Sequence, residues 1–198
     1  MLHIKNKALR KWSKVSLAAM ISLGALATVS PVSAAVGVKT ETAATAAVKN
    51  STTAYVKSIL ALAKQGKVPG STFVSGKTLI SEIHKKWGDP TSSGNGYEFY
   101  NFGMGAGAYA VGVNKKGVVY DLRNFGQAID PTVGIKSLTF TSVITALGMP
   151  KEIRFIGTDK IYLYSAGDRQ LKFVGPKTPV KGKAVHIDHI NVYSPKAD

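Results

Sequence analysis

Two short stretches decide the fold: HKKWGDP at residues 84–90 and ITALGMP at residues 144–150. Each contains, in order, an apolar residue, a glycine, one variable residue and a proline. Upstream of each glycine, apolar residues recur at positions i, i+3 and i+7: Ile80, Ile83 and Trp87 in the first stretch, and Phe140, Val143 and Leu147 in the second. Because glycine readily takes a positive φ and proline cannot continue a helix, both stretches are predicted to end amphipathic helices.

The segments that follow the two helix ends also correspond. Alternating apolar and polar residues predict strands in GYEFYNF, GAYAVGVN and GVVYDLRNF after the first, and in KIYLYSA, RQLKFVG and KAVHIDHINVY after the second. Thr78 and Thr139 are predicted to cap the two helices. The sequence therefore predicts an α+β fold of two tandem repeats, about residues 67–126 and 127–195. Each repeat is a helix plus an antiparallel meander, and together they form one shared antiparallel sheet with helices on one face.

The N-terminal residues predict export. MLHIKNKALRKWSK holds five Lys and Arg and no acid, and an uncharged run and a small-residue site ending at Ala34 follow. We expect a signal peptide over residues 1–34, cleaved after Ala34, and no membrane span after cleavage; an uncleaved N-terminal anchor is the alternative. Residues 35–52 are predicted to be a flexible linker. One domain, residues 53–195, follows, and its first helix is predicted over residues 53–65.

Composition narrows the classes of partner. The chain has 26 Lys and Arg against 11 Asp and Glu. Removing the five basic residues of the signal peptide leaves 21 against 11, a net charge of +10. Eighteen of these 21 residues are Lys, which lacks the bidentate phosphate contacts of Arg, so we expect no nucleic-acid partner. The absence of cysteine excludes disulfides, a thiol nucleophile and thiolate metal ligands.

Motifs for catalysis or ligand binding are weak. GSTFVSGKT at residues 70–78 resembles a phosphate-binding loop, but five residues instead of four separate its first glycine from GKT. His186, Asp188 and His189 most resemble a metal or acid–base cluster, although alternation along a strand points His186 and His189 to opposite faces. Polar residues on a sheet face explain them as well. We therefore expect no catalytic residue, no metal site and no cofactor.

The sheet face away from the helices is the predicted binding surface. Strand alternation assigns eight residues to it: Tyr100, Tyr162, Tyr164, Lys172, Asp121, Arg123, His186 and Asp188. Tyrosine buries much area at small entropic cost, which is typical of protein recognition surfaces. The alternative is that these tyrosines pack under a loop or on one another. The alternation of apolar and polar residues in VVYDLRNF shifts by one position, which predicts a strand irregularity before Phe125.

Six motifs taken together, AKQGKVPGSTF, KKWGDP, VVYDLRNF, LGMPKE, IYLYSAG and VHIDHINVY, resemble the YjgB-like family, secreted proteins of unknown function from spore-forming Gram-positive bacteria. The resemblance spans roughly residues 55–195. It implies a secreted, extracellular or cell-wall-associated protein of a Gram-positive bacterium, and it brings no activity, catalytic residue or cofactor. The duplicated unit is also similar to the β-lactamase inhibitory protein fold, in which paired repeats form one curved sheet whose open face grips a partner. Those inhibitors contain disulfides, and this chain has no cysteine.

These observations favour a secreted, non-enzymatic binding module that holds a protein or a cell-envelope component on its open sheet face. Two alternatives stay open. One is retention in an anionic cell-wall polymer through the net positive charge. The other is a secreted hydrolase that uses the region of His186, Asp188 and His189. The sequence leaves the partner and the oligomeric state open.

Overall fold

The structure is a computed structural model that describes residues 36–103, 105–127, 134–178, 182 and 184–198, with the side chains of the first helix described from Thr45 onward. The predicted signal peptide and its cleavage site lie outside these residues. No helix in the described part of the chain combines the length and apolar character that a bilayer crossing requires.

The described residues form three α-helices, one 3-10 helix and eight β-strands. Their order is α1 (Val36–Lys64), α2 (Ile80–Trp87), β1 (Ser92–Gly94), β2 (Tyr97–Asn101), β3 (Ala108–Val113), β4 (Val119–Asn124), the 3-10 helix (Gly134–Ser137), α3 (Phe140–Leu147), β5 (Glu152–Ile156), β6 (Asp159–Ala166), β7 (Arg169–Pro176) and β8 (His189–Tyr193).

The described strands form one antiparallel sheet in the order β1-β2-β3-β4-β8-β7-β6-β5. The predicted α+β class with one antiparallel sheet is confirmed. A short helix precedes four strands twice along the chain, α2 before β1 to β4 and α3 before β5 to β8. The duplication itself stays a prediction. Pairing of β4 with β8 joins the two groups of strands at the centre of the sheet.

The helices cover one face of this sheet. One row of cross-strand partners runs through Tyr100, Tyr109, Asn124, Ile190, Phe173 and Tyr162. At one end of the row, the ring centroid of Trp87 in α2 lies 5.2 Å from Tyr100 and 4.9 Å from Tyr109. At the other end, Phe140 in α3 lies 4.5 Å from Tyr162. Because one row shares one face, α2 and α3 pack on the same side.

The helix ends follow the predicted chemistry with one exception. Gly88 and Gly148 have φ values of 78° and 79°, the positive region that favours glycine. Thr139 caps α3 as predicted, since its side chain accepts a hydrogen bond from Ser142 N–H at 3.1 Å. Thr78 does not cap α2: its Oγ1 accepts from Val74 N–H at 2.9 Å instead, within the preceding turn.

The first helix is longer than the predicted one. It starts at Val36 and so includes most of the stretch assigned to a flexible linker, residues 35–52. Alanines at positions 43, 44, 46 and 47 favour helix in this stretch, and the spacing of core residues does not reveal this preference. Side chains at residues 45–51 are exposed, whereas Val56, Ile59 and Ala63 are fully buried. Among the described side chains of this helix, those that pack on the core therefore lie in its second half.

We predict that replacing Trp87 with alanine lowers the free energy of unfolding by about 3 kcal/mol, because four aromatic rings lose their shared contact. Urea denaturation measures the change. Lys85→Ala, at an exposed position of the same helix, is the control and is expected to stay within about 0.5 kcal/mol of the wild type. Equal stability of the two variants would contradict this account of the core.

Candidate functional site

Three tyrosines predicted for the open face lie on the helix face instead. Tyr100, Tyr162 and Tyr164 are each at most 6% exposed. Tyr164 Oη donates to the Gly148 carbonyl at the end of α3, at 2.9 Å, and burial raises the pKa of Tyr164 to about 12. The prediction was wrong because it took the tyrosines of β6 as the polar set. A tyrosine ring fills deep apolar space when its hydroxyl finds one partner at the rim.

The structure places Asp121, Arg123 and Lys172 on the face opposite the helices. Leu122 lies between the first two and is buried in the core under the helices. Since strand side chains alternate, Asp121 and Arg123 face the other way. Arg123 and Lys172 are both cross-strand partners of Asn191 in β8, so these residues share one face across the β4–β8–β7 centre.

Three other tyrosines accompany these residues. We call the whole group the open-face cluster, and its members are Tyr97, Tyr120, Asp121, Arg123, Lys172, Asn191 and Tyr193. The cluster draws on β2, β4, β7 and β8. Within the described part of the chain, the helices pack on the opposite face, so no helix covers the cluster.

The tyrosine rings of the cluster contact one another edge to face. Ring centroids of Tyr97 and Tyr120 are 6.2 Å apart, and those of Tyr120 and Tyr193 are 6.1 Å apart. A register shift after Gly112 leaves Tyr120 as an extra residue, which turns it to the side of Asp121. A Cβ at Gly112 would lie 2.9 Å from both Tyr97 and Tyr120. Glycine is therefore required here because the two rings lie directly on the backbone.

A buried carboxylate holds the first tyrosine and an arginine together. Asp121, 1% exposed, accepts hydrogen bonds at Oδ2 from Tyr97 Oη at 2.9 Å and from Arg123 Nε at 3.0 Å. The Arg123 guanidinium also donates to Tyr97 Oη and lies 4.0 Å from the centre of the Tyr97 ring. Burial, followed by the charge of Asp121, raises the pKa of Tyr97. The tyrosine is therefore neutral, and the arginine is fixed in one orientation.

Lysine 172 provides a second cation over a second ring. Its Nζ lies 4.1 Å from the centre of the Tyr193 ring, a cation–π contact. Burial lowers the pKa of Lys172, because the ammonium loses hydration between the neighbouring strands. Tyr193 Oη donates to Asp198 Oδ2, and this bond, with burial, raises the pKa of Tyr193 to about 12.

Two polar atoms in the cluster are buried without a hydrogen-bond partner among the described residues: Asp121 Oδ1 and Asn191 Oδ1. A buried acceptor without a donor costs about 1–3 kcal/mol relative to a satisfied one. Both atoms belong to β4 and β8, where Asp121 opposes Tyr193 and Asn191 opposes Arg123. The centre of the open face therefore has hydrogen-bonding capacity that the described chain does not use.

His186 and Asp188 lie outside this cluster, contrary to their predicted place on the binding face. Both precede β8 and bond to the 3-10 helix: Lys136 Nζ donates to Asp188 Oδ1 at 2.7 Å, and His186 Nδ1 lies 2.8 Å from the Lys136 carbonyl oxygen. His189 Nδ1 lies 2.9 Å from Asp188 Oδ2. Hydrogen bonds from His189 and Lys136 hold the pKa of Asp188 well below its usual range. These contacts attach the segment that precedes β8 to the 3-10 helix.

Three cavities among the described residues lie outside the open-face cluster. One of about 350 Å³ includes Tyr55, Asn124 and Ile135 in its lining, one of about 240 Å³ lies between α1 and α3, and one of about 550 Å³ is lined by Phe140 and Tyr162 among others. None of these three has His186, Asp188 or His189 in its lining. The described residues contain no group of three or more His, Asp or Glu placed to hold a metal ion.

Sequence reasoning missed Tyr97, Tyr120, Asn191 and Tyr193. Simple alternation finds two of them, because Asn191 and Tyr193 are two and four residues beyond His189 on one side of β8. The phase change in VVYDLRNF signals the third, since the irregularity lies at Tyr120. To place Tyr97 on the open face, the direction of alternating side chains along β2 must be known. That direction is hard to infer from the sequence, because phenylalanine is expected to be buried in preference to tyrosine, whereas here Tyr100 is buried and Phe99 is exposed.

We predict that Asp188→Asn lowers the melting temperature at pH 7, and that the difference from wild type shrinks as the pH falls below about 4. A carboxylate whose folded pKa is depressed stabilises the fold above its unfolded pKa, and this contribution is lost as the pH falls toward the folded pKa. Thermal unfolding from pH 7 to pH 2.5 measures it, and a difference that stays constant over this range would contradict the assignment.

Comparison with known proteins agrees with the architecture. No curated protein matches the chain significantly. A solved structure of YjgB, a DUF4309 family protein from Bacillus subtilis, aligns with a TM-score of 0.63 at 20% identity, covering 72% of this chain and 97% of that one. An extracellular protein with an SCP domain from Bacillus anthracis aligns with a TM-score of only 0.41 at 14% identity, covering 66% of this chain and 49% of that one, too low to bear on the fold.

The family model described as "Domain of unknown function (DUF4309)" matches residues 56–193, which include the packed half of α1, all eight strands and the complete open-face cluster. The match covers well over half of the sequence. The chain therefore belongs to the DUF4309 family.

Proposed function

We propose that the protein is a secreted, non-enzymatic binding module that holds another protein or a cell-envelope component on the open-face cluster. The observation that carries this proposal is the arrangement of two cations, Arg123 and Lys172, each fixed over a tyrosine ring at the centre of the sheet. Export rests on the basic and apolar N-terminal sequence. The relationship to YjgB adds the fold and no activity.

Tyrosine and arginine are the residue types on which binding energy concentrates at interfaces, because they combine large contact area with directed hydrogen bonds. In the cluster, Asp121 fixes Arg123 and Tyr97 before any partner arrives. Fixed side chains lose less entropy on binding than free ones. Phe99, 38% exposed, lies on the same face beside Tyr97 and extends the apolar area. Together these features support recognition of a surface with apolar and anionic groups.

The chemistry of the remaining polar groups supports binding over catalysis. A general base works best when its pKa lies near the operating pH, and the pKa of Asp188 is shifted in the opposite direction. His186 Nδ1 lies beside the Lys136 carbonyl oxygen and His189 Nδ1 beside Asp188 Oδ2, and these contacts fix the orientations of the two rings. A hydrolase would need a base and a substrate cavity together, and none of the three cavities described above has His186, Asp188 or His189 in its lining, although the cavity of about 550 Å³ reaches Val185.

Retention by general charge is the second candidate, favoured by the excess of 21 basic over 11 acidic residues after residue 34. It differs from the first in two measurable ways. Attraction between exposed charges is strongly screened between about 0.05 M and 0.5 M salt, whereas contacts in a desolvated site persist. It also depends on the number of charges and not on their position.

We predict that Lys172→Gln weakens retention of a discrete partner about tenfold, because the cation held over the Tyr193 ring is no longer available to the partner. Lys85→Gln removes the same charge from the exposed side of α2 and is expected to bind like the wild type. The measurement is capture of cell-wall and secretome fractions of the source bacterium on the immobilised proteins at low and high salt. Equal weakening by both substitutions, with complete loss at high salt, would reject the open face in favour of general charge.

A further inference from the structure

The two edges of the sheet differ in a way that concerns association. At one edge, β1 has three residues, Ser92–Gly94, and no apolar side chain. At the other edge, all five residues of β5 are exposed, and they include Ile153, Phe155 and Ile156 at 40%, 57% and 62% exposure. An exposed apolar edge strand is a template for pairing with another strand, which proteins usually avoid. β5 is therefore the edge to which a further strand would add.

The directions of the backbone groups of β5 follow from its hairpin with β6. The turn has two residues, Gly157 and Thr158, so the closing pair Ile156–Asp159 exchanges hydrogen bonds. Bonded and non-bonded pairs alternate along an antiparallel ladder, so Glu152 and Arg154 also direct their N–H and C=O groups to β6. Ile153 and Phe155 direct theirs outward, where the described chain provides no strand. The outward groups thus belong to the apolar residues.

We propose that β5 pairs antiparallel with β5 of a second copy of this chain, about a two-fold axis at Ile153. In this register Ile153 opposes Ile153 of the second copy, and the two exchange backbone hydrogen bonds. Glu152 then opposes Arg154 of the second copy, and Arg154 opposes its Glu152, on the open-face side of the sheet. Within one chain these side chains are already paired, with Arg154 Nε 2.6 Å from Glu152 Oε1. The two copies therefore bring together four charges of alternating sign.

Charge selects this register over the neighbouring one. Moving the axis to Arg154 places two arginines directly opposite each other in a non-bonded pair, where side chains approach most closely, and leaves both Glu152 residues opposite Ile156. Only the axis at Ile153 matches opposite charges and covers an apolar pair at once. This self-complementarity of Glu152–Arg154 is the reason to assign the edge to a second copy instead of an unrelated strand.

The pairing has a consequence for the open face. A two-fold axis perpendicular to the sheet continues the sheet from one copy to the next and keeps both open faces on the same side. The central β8 strands of the two copies are then seven strand spacings apart, roughly 34 Å. The dimer would carry both open-face clusters on one continuous sheet face, rotated relative to each other by the twist that accumulates over these seven steps. The pairing itself stands on β5 alone and does not depend on the proposed function.

The test is the molar mass of the purified protein in solution, by sedimentation equilibrium from about 1 µM to 1 mM, because a five-residue strand forms a small and weak interface. We expect the wild type to dimerise and Glu152→Arg and Arg154→Glu to be monomeric, since each places like charges opposite one another. An equimolar mixture of these two variants restores opposite charges and is expected to form a heterodimer. Ile153→Pro removes an outward N–H without affecting the bonds to β6 and is expected to be monomeric.

Circular dichroism confirms that each variant is folded before its mass is read. A wild type that stays monomeric at every concentration overturns the proposal. So does a mixture of the two charge variants that fails to associate when the wild type dimerises, since the register would then be wrong. A monomeric wild type whose outward Ile153 and Phe155 amides are protected from hydrogen exchange would instead assign the edge to another segment of the same chain.

Discussion

The antiparallel pairing of β4 with β8 is the constraint on which the rest of the molecule depends. It joins strands that are far apart in sequence, with Asp121 opposite Tyr193 and Arg123 opposite Asn191. On the helix side it aligns Leu122 with Val192 and closes one continuous core. On the other side it brings Asp121 of β4 next to Asn191 and Tyr193 of β8. The core and the open-face cluster are thus two faces of one strand pair.

Much of this architecture could be predicted because its signals are local. Gly88 and Gly148 end helices through backbone conformation alone, and Ile83 and Val143 recur at helical spacing. The phase of the strands is a tertiary property, however. From the sequence, Tyr162 and Tyr164 are expected to be exposed polar residues. Their rings are buried because they fill the space beneath α3, and that space exists only in the folded structure. The bulge that turns Tyr120 to the open face likewise depends on its pairing with β3.

The candidate site contains tyrosines and charged residues, as predicted, but its tyrosines are not the predicted ones. Asp121, Arg123 and Lys172 are on the predicted face, where the rings beside them are Tyr97 and Tyr193. Their mutual contacts could not be inferred from sequence, because each contact joins residues of different strands. The site combines rings and cations held by contacts within the chain with two buried acceptors, Asp121 Oδ1 and Asn191 Oδ1, that have no hydrogen-bond partner among the described residues.

The central claim is that the face carrying Tyr97, Tyr120 and Tyr193 is open in the complete protein, while Tyr100, Tyr162 and Tyr164 are covered. Hydroxyl-radical footprinting of the purified protein, read by mass spectrometry at each tyrosine, tests this most directly because oxidation follows side-chain exposure. The account predicts oxidation of the first three several-fold faster than that of the second three. Rapid oxidation of Tyr162 or Tyr164, or protection of all three open-face tyrosines, would contradict it.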